Sequence, residues 1–174
     1  MGMEAAVMAL VGSSAIGYVM ADGEKARLRF VRAMRRSLIH MHERIRYEQP
    51  PLAALLAGIN LDATPEERQL STLLHACSER ISRGSNPQLV QVFGRESRRL
   101  TGYAVLGKAD RCAFESVLAE LGRTGMSEQL RLISAADERL RQREEEIAAE
   151  CQVRARLIRT LGVTAGAAAF MLLV

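Results

Sequence analysis

Few side chains in this chain could hold a metal or move a proton. His40, His42 and Glu43 form the one local grouping of imidazole and carboxylate. Two histidines and a glutamate can bind zinc or iron when they share one face of a helix. Each helical residue turns the chain by about 100°, so His40 and His42 point about 160° apart and cannot close on one ion. His75 stands alone. Glu144, Glu145 and Glu146 are consecutive, so they spread around a helix as a solvated face and do not converge as an acid–base pair. The stretch Gly102, Tyr103, Ala104, Val105, Leu106, Gly107 lacks the further glycines and the lysine of a phosphate-binding loop, and no HExxH, GxSxG or GxGxxG occurs. Cys77, Cys112 and Cys151 are odd in number and far apart, which fits small packed thiols in a reducing compartment and not a disulfide frame. The expectation is a protein without a catalytic site, a metal or a cofactor.

The elements that carry these residues are helical by composition. Of the 174 residues 48% are hydrophobic and only 4% aromatic, with no Trp, so a core must come from Leu, Ile, Val, Met and Ala. That set packs helices better than sheets. The length supports one modest domain. The net charge is +4, and all but two of the 24 cations are arginine.

Charge is distributed unevenly. Residues 1–21 carry a single charge, Glu4, and residues 160–174 carry none. As a helix the first stretch would span about 31 Å, enough for a hydrocarbon core of about 30 Å. The last is shorter, and reaches about 27 Å if Leu157 and Ile158 join it and Arg159 reaches to the interface. The expected organisation is a transmembrane helix over 1–21, a cytoplasmic helical domain over 22–156 and a second transmembrane helix over 157–174. Lys25, Arg27, Arg29, Arg32, Arg35 and Arg36 follow the first stretch, and Arg154, Arg156 and Arg159 precede the last. Cations on the domain side of both stretches orient the domain toward the cytoplasm and suggest contact with anionic lipid. Ala5, Ala9, Ser13, Gly17 and Ala21 recur every fourth residue, and Gly162 with Gly166 forms a GxxxG, so Ala9, Ser13, Gly17, Gly162 and Gly166 are candidates for close helix packing in lipid.

Between the ends, helix signals follow one another. Leu28, Val31, Leu38, Met41 and Ile45 make an apolar stripe with arginines on the other face. Pro50 and Pro51 force a turn before a helix over 52–59. Thr64, Pro65, Glu66 and Glu67 read as a capping box opening a helix that Gly84 ends. Asn86 and Pro87 open another, with Leu89, Val90 and Phe93 inward. Residues 101–107 are looser, 108–121 are helical up to Gly122, and a long helix starts at Met126, its stripe Met126, Leu130, Ile133, Ala136, Leu140, Ile147 and Cys151. The expected fold is all-α: an antiparallel bundle of about six helices, the first and last extending into membrane segments.

Three places in this layout resemble the stage III sporulation protein AB family. Glu43, Ile45, Tyr47 and then Pro51, Leu52 follow its Glu-x-Ile-x-Tyr-x-x-x-Pro-Leu pattern. Leu121, Gly122 and Gln129 follow its Leu-Gly-x-Ser-Asp-x-x-x-Gln, with Thr124 and Gly125 in place of Ser-Asp. Leu161, Gly162 and Val163 open the last apolar run in the same way. The resemblance implies a role in endospore formation, within a channel-like complex of mother cell and forespore. It implies a multi-pass protein of the mother-cell-derived outer forespore membrane, with its soluble part similar to platform proteins of type II secretion. The implied partners are a cytoplasmic secretion-type ATPase, other stage III sporulation membrane proteins, membrane lipid and a possible second copy, not nucleic acid. Tyr47, Pro51, Gly122 and Gln129 are the candidate partner contacts. A basic, membrane-tethered helical protein that binds nucleic acid or anionic lipid is the competing expectation, opposed by the lack of aromatic stacking groups.

Overall fold

In a computed structural model the backbone is described over residues 2–83, 88–98 and 100–173, and side chains over 23–83, 88–98, 100, 102–153 and 157. Seven helices and no strand occur among the described residues: α1 (Gly2–Tyr47), α2 (Leu52–Ala57), α3 (Pro65–Ser82), α4 (Leu89–Ser97), α5 (Thr101–Ala104), α6 (Lys108–Glu120) and α7 (Met126–Leu173). The seventh is the single turn α5, in the stretch the sequence leaves loose. The chain divides into two compact units, Ala26–Glu145, and Met1–Lys25 with Glu146–Val174. Among the described residues no helix is long and apolar enough to cross a membrane. The apolar ends, with Ala9, Ser13, Gly17, Gly162 and Gly166, lie outside the residues whose side chains are described, as do Gly84, Asn86 and Pro87.

Within Ala26–Glu145 the core is built around α1. Phe30, Val31, Ala33, Met34, Leu38, Met41 and Ile45 are buried. That face is wider than the expected stripe, because α1 is packed on more than one side. Leu28 is only partly covered. Phe30, Phe93 and Phe114 are fully buried, and Tyr103 joins them through edge contacts at 6.0 Å to Phe30 and 5.5 Å to Phe93. Four of the five Phe and Tyr rings of this aromatic-poor body are thus gathered where α1, α4, α5 and α6 meet. Val92, not Val90, turns inward from α4, and Met126 at the start of α7 is exposed.

The helix ends follow the expected chemistry, with one variation. The Thr64 hydroxyl accepts from the Glu67 amide at 3.2 Å, as a cap should. The Glu67 carboxylate returns to the amide of Ala63 at 3.0 Å, one residue before the cap, and also takes Arg36 from α1. At α6 only half a capping box exists. Asp110 accepts from the Gly107 amide at 3.1 Å, and a glycine has no side chain to return the bond.

Candidate functional site

Two connections lie at one end of this body. Residues 48–51 join α1 to α2, and residues 121–125 join α6 to α7. The first is tight because the Glu48 and Gln49 amides both close on the Arg44 carbonyl, at 2.9 and 3.1 Å. Gln49 then takes a left-handed φ of 46°, which a residue with a Cβ adopts at a cost. Arg44 ties the connection down: it pairs with Glu48 at 2.9 Å and donates to the Ala54 carbonyl of α2 at 3.1 Å. The second connection turns at Gly122, whose φ is 79°. A Cβ there would also meet Leu52 of α2 at 3.3 Å, so glycine serves both backbone and packing.

The two connections enclose a groove of about 340 Å³, lined by Ile45, Pro51, Leu52, Gly122, Met126 and Gln129 among others. Three of the four positions singled out from the sequence, Pro51, Gly122 and Gln129, meet here although up to 78 residues separate them in the chain (129 − 51). Each also has a shaping task. Pro51 caps α2 in extended backbone, Gly122 makes the turn, and the Gln129 amide donates to the Thr124 carbonyl at 2.7 Å, holding the start of α7. Met126, read from the sequence as core, lines the groove instead.

Tyr47 is different in kind. It does not line the groove. It stands at the end of α1, 77% exposed, with the Arg46 guanidinium 5.6 Å from its ring centre. An aromatic ring left this open is a surface on which a partner could gain contact area at low entropic cost.

The cations of α1 are not where the sequence puts them. Arg27 pairs with Asp110 of α6 at 2.7 Å, Arg29 with Glu66 of α3 at 2.8 Å, and Arg36 with Glu67. Arg35 holds Asp137 and Glu144 of α7 at 2.9 and 2.7 Å, and Arg32 shares Glu144 at 2.7 Å. These arginines were expected to face lipid. The fold turns five of them to its own carboxylates, because the acids on the facing helices fall opposite them. Glu144, expected in a solvated run, is one of those acids. Burial pushes its carboxyl up, and the bonds from Arg32 and Arg35 outweigh that and hold it below its usual range.

Asp110 is the centre of this ladder. Its side chain is 0% exposed. One oxygen accepts from Arg27 and the Gly107 amide, and the other accepts from Arg143 of α7 at 3.0 Å. Burial raises its carboxyl, and the two arginines outweigh burial and hold it below the usual carboxylate range.

His40 is exposed and His42 partly so, and the His75 ring lies 3.1 Å from the Ile59 carbonyl. Among the described residues no three His, Cys, Asp or Glu side chains are grouped so as to hold a metal.

No curated protein matches the chain. A solved structure of "Stage III sporulation protein AB (SpoIIIAB)" is similar to it, with a TM-score of 0.59 at 21% identity, covering 73% of this chain and 97% of that one. At that identity the likeness speaks for the fold. The model of the family "Stage III sporulation protein AB" matches residues 3–174. With a family match over nearly its whole length and the same helical fold, the chain belongs to the stage III sporulation protein AB family, a family of sporulation proteins.

Proposed function

We propose that the protein is a non-enzymatic, membrane-anchored platform in the secretion-like channel complex between mother cell and forespore. Its two apolar ends cross the outer forespore membrane, and its helical body sits on the mother-cell cytoplasmic side. There it couples to a cytoplasmic secretion-type ATPase. The observation that carries this proposal is the meeting of two family segments, 43–52 and 121–129, around one groove next to an exposed tyrosine. The two are separate in the chain. Their convergence gives one end of the body a shaped surface with no reacting groups, which suits assembly and not turnover.

Tyr47→Ala tests it, since so exposed a ring contributes little to folding. In a sporulating host the variant should accumulate in membranes at the parental level, yet lose co-purification of the ATPase and lower the spore count by tenfold or more. Parental spore counts with intact co-purification would refute the contact. Release of the intact protein by alkaline carbonate would refute the anchorage.

A further inference from the structure

Five arginines of α1 are neutralised within the body, so the positive surplus on the body's surface has to be sought elsewhere. Part of it lies around α4, and Lys25, Arg46, Lys108, Arg123 and Arg139 carry the rest among the described residues. Arg95 and Arg98 of α4, and Arg68 of α3, which shares a hollow with Glu96 and Leu100, are exposed and make no ion pair among the described residues. Arg80 of α3 pairs with Glu96 at 2.6 Å and Arg83 with Glu79 at 3.3 Å, the latter pair well exposed. Arg111 of α6 lies 5.9 Å from the Tyr103 ring centre, and the Tyr103 hydroxyl donates to Glu115 at 2.6 Å.

Two hollows flank α4. One, about 550 Å³, runs between α3 and α4 and is lined by Arg80, Arg83 and Arg95, by Glu79 and Glu96, and by Ala76. The other, about 470 Å³, lies between α4 and the α5–α6 region, lined by Arg98 and Arg111 and by Glu115, with Val90, Leu100 and Tyr103. The nine-residue α4 is therefore a short ridge between two troughs, each combining guanidinium groups with apolar side chains.

We propose that α4 and its troughs are a docking surface for an acidic, amphipathic helical segment of a protein partner. Charge complementarity carries the proposal. Guanidinium forks present paired donors that match carboxylates, and the apolar lining accepts leucine-type side chains between them. The fixed carboxylates Glu79, Glu96 and Glu115 interrupt the patch, which penalises a continuous array of phosphates more than a segment of mixed character. The cations are also grouped around a ridge and troughs, whereas a lipid surface is met by a flat face. This surface is distinct from the groove at Pro51 and Gly122 and does not depend on the platform proposal.

The test uses the full chain reconstituted in phosphatidylcholine nanodiscs. The probes are a labelled helical peptide of Glu and Leu, the same peptide with Gln for Glu, and phosphatidylglycerol vesicles. Fluorescence anisotropy should show binding of the Glu peptide, weakened about tenfold or more by Arg95→Glu with Arg98→Glu. The Gln peptide should bind far less. Arg139→Glu, at another exposed cation, on α7, serves as the control and should change affinity by less than about twofold. Unchanged melting of each variant keeps the comparison interpretable, and the replaced side chains have no ion pair to lose among the described residues. Equal binding of both peptides, or equal loss from the α4 and α7 substitutions, would overturn the proposal. So would vesicle binding that the α4 reversal abolishes while the Glu peptide stays unbound, which would make the surface a lipid one.

Discussion

Replacing Asp110 with alanine should be among the most damaging single changes to the body. The carboxylate accepts four hydrogen bonds from three donors on three segments: two from Arg27, one from Arg143 and one from the Gly107 amide. Arg27 has a side chain only 18% exposed, so it would be left charged and largely dry. Breaking a buried pair in this way costs about 3–5 kcal/mol. Arg143 is 37% exposed, and water can take over its hydrogen bond, so its share is discounted nearly to nothing. Loss of the bond to the helix start adds about 1 kcal/mol. The expected destabilisation is about 5 kcal/mol, a fall in melting temperature on the order of 20 °C for a body of this size. Urea unfolding of the full chain followed by circular dichroism measures it. Asp110→Asn keeps the shape and one acceptor and should cost roughly half as much. The pH dependence has a definite sign. Asp110 is held below its usual value, so its contribution is complete above about pH 4 and is lost as pH falls through its depressed folded value. Asp110→Asn should flatten that acid limb. The triple change Arg27→Met, Asp110→Leu, Arg143→Leu should return stability to within about 1–2 kcal/mol of the parent, since an apolar trio avoids desolvating three charges. The account is refuted if Asp110→Ala unfolds within about 1 kcal/mol of the parent, or if the triple variant is no better than the single one.

Three further outcomes follow from particular backbone and burial features. Gln49→Gly should raise stability by about 0.5–1 kcal/mol in the same urea assay, because the left-handed φ no longer opposes a Cβ. Gly122→Ala should lower it by about 1–2 kcal/mol, from the φ of 79° and the approach to Leu52. Burial, aided by Glu96, pushes the Cys77 thiol up to about 12, so at pH 8 Cys77 should resist iodoacetamide until urea unfolds the body; Cys112, which is exposed, should react at once, and mass spectrometry distinguishes the two.

The helices were legible in the sequence because their signals are local. Thr64 followed by Pro65 and Glu67 marks a start, and Gly122 marks a stop, whatever surrounds them. The burial of Phe30, Ala33 and Met34 was not, because a stripe on one helix cannot reveal how many neighbours will cover it. The arginines of α1 were misread for a related reason. Their spacing beside an apolar stretch is the same whether they meet phosphates or carboxylates 31 to 112 residues away, and only the tertiary pairing decides. Pro51, Gly122 and Gln129 were picked out through a family resemblance, and their convergence on one groove depends on two connections that share an end of the body. The basic surround of α4 gave no pattern in the chain, since its members come from three helices.

The arginine ladder also sets a timetable. Arg32 and Arg35 of the first helix wait for Glu144, and Arg27 waits for Asp110. At about 5–20 residues per second of translation, roughly 100 residues take on the order of 5–20 s to emerge. Throughout that interval Arg32 and Arg35 stand without these partners, whereas Arg29 and Arg36 need only Glu66 and Glu67, 37 and 31 residues on. The same cations thus have two states in the life of the chain: free while it is being made, and neutralised in steps as α3, α6 and α7 arrive.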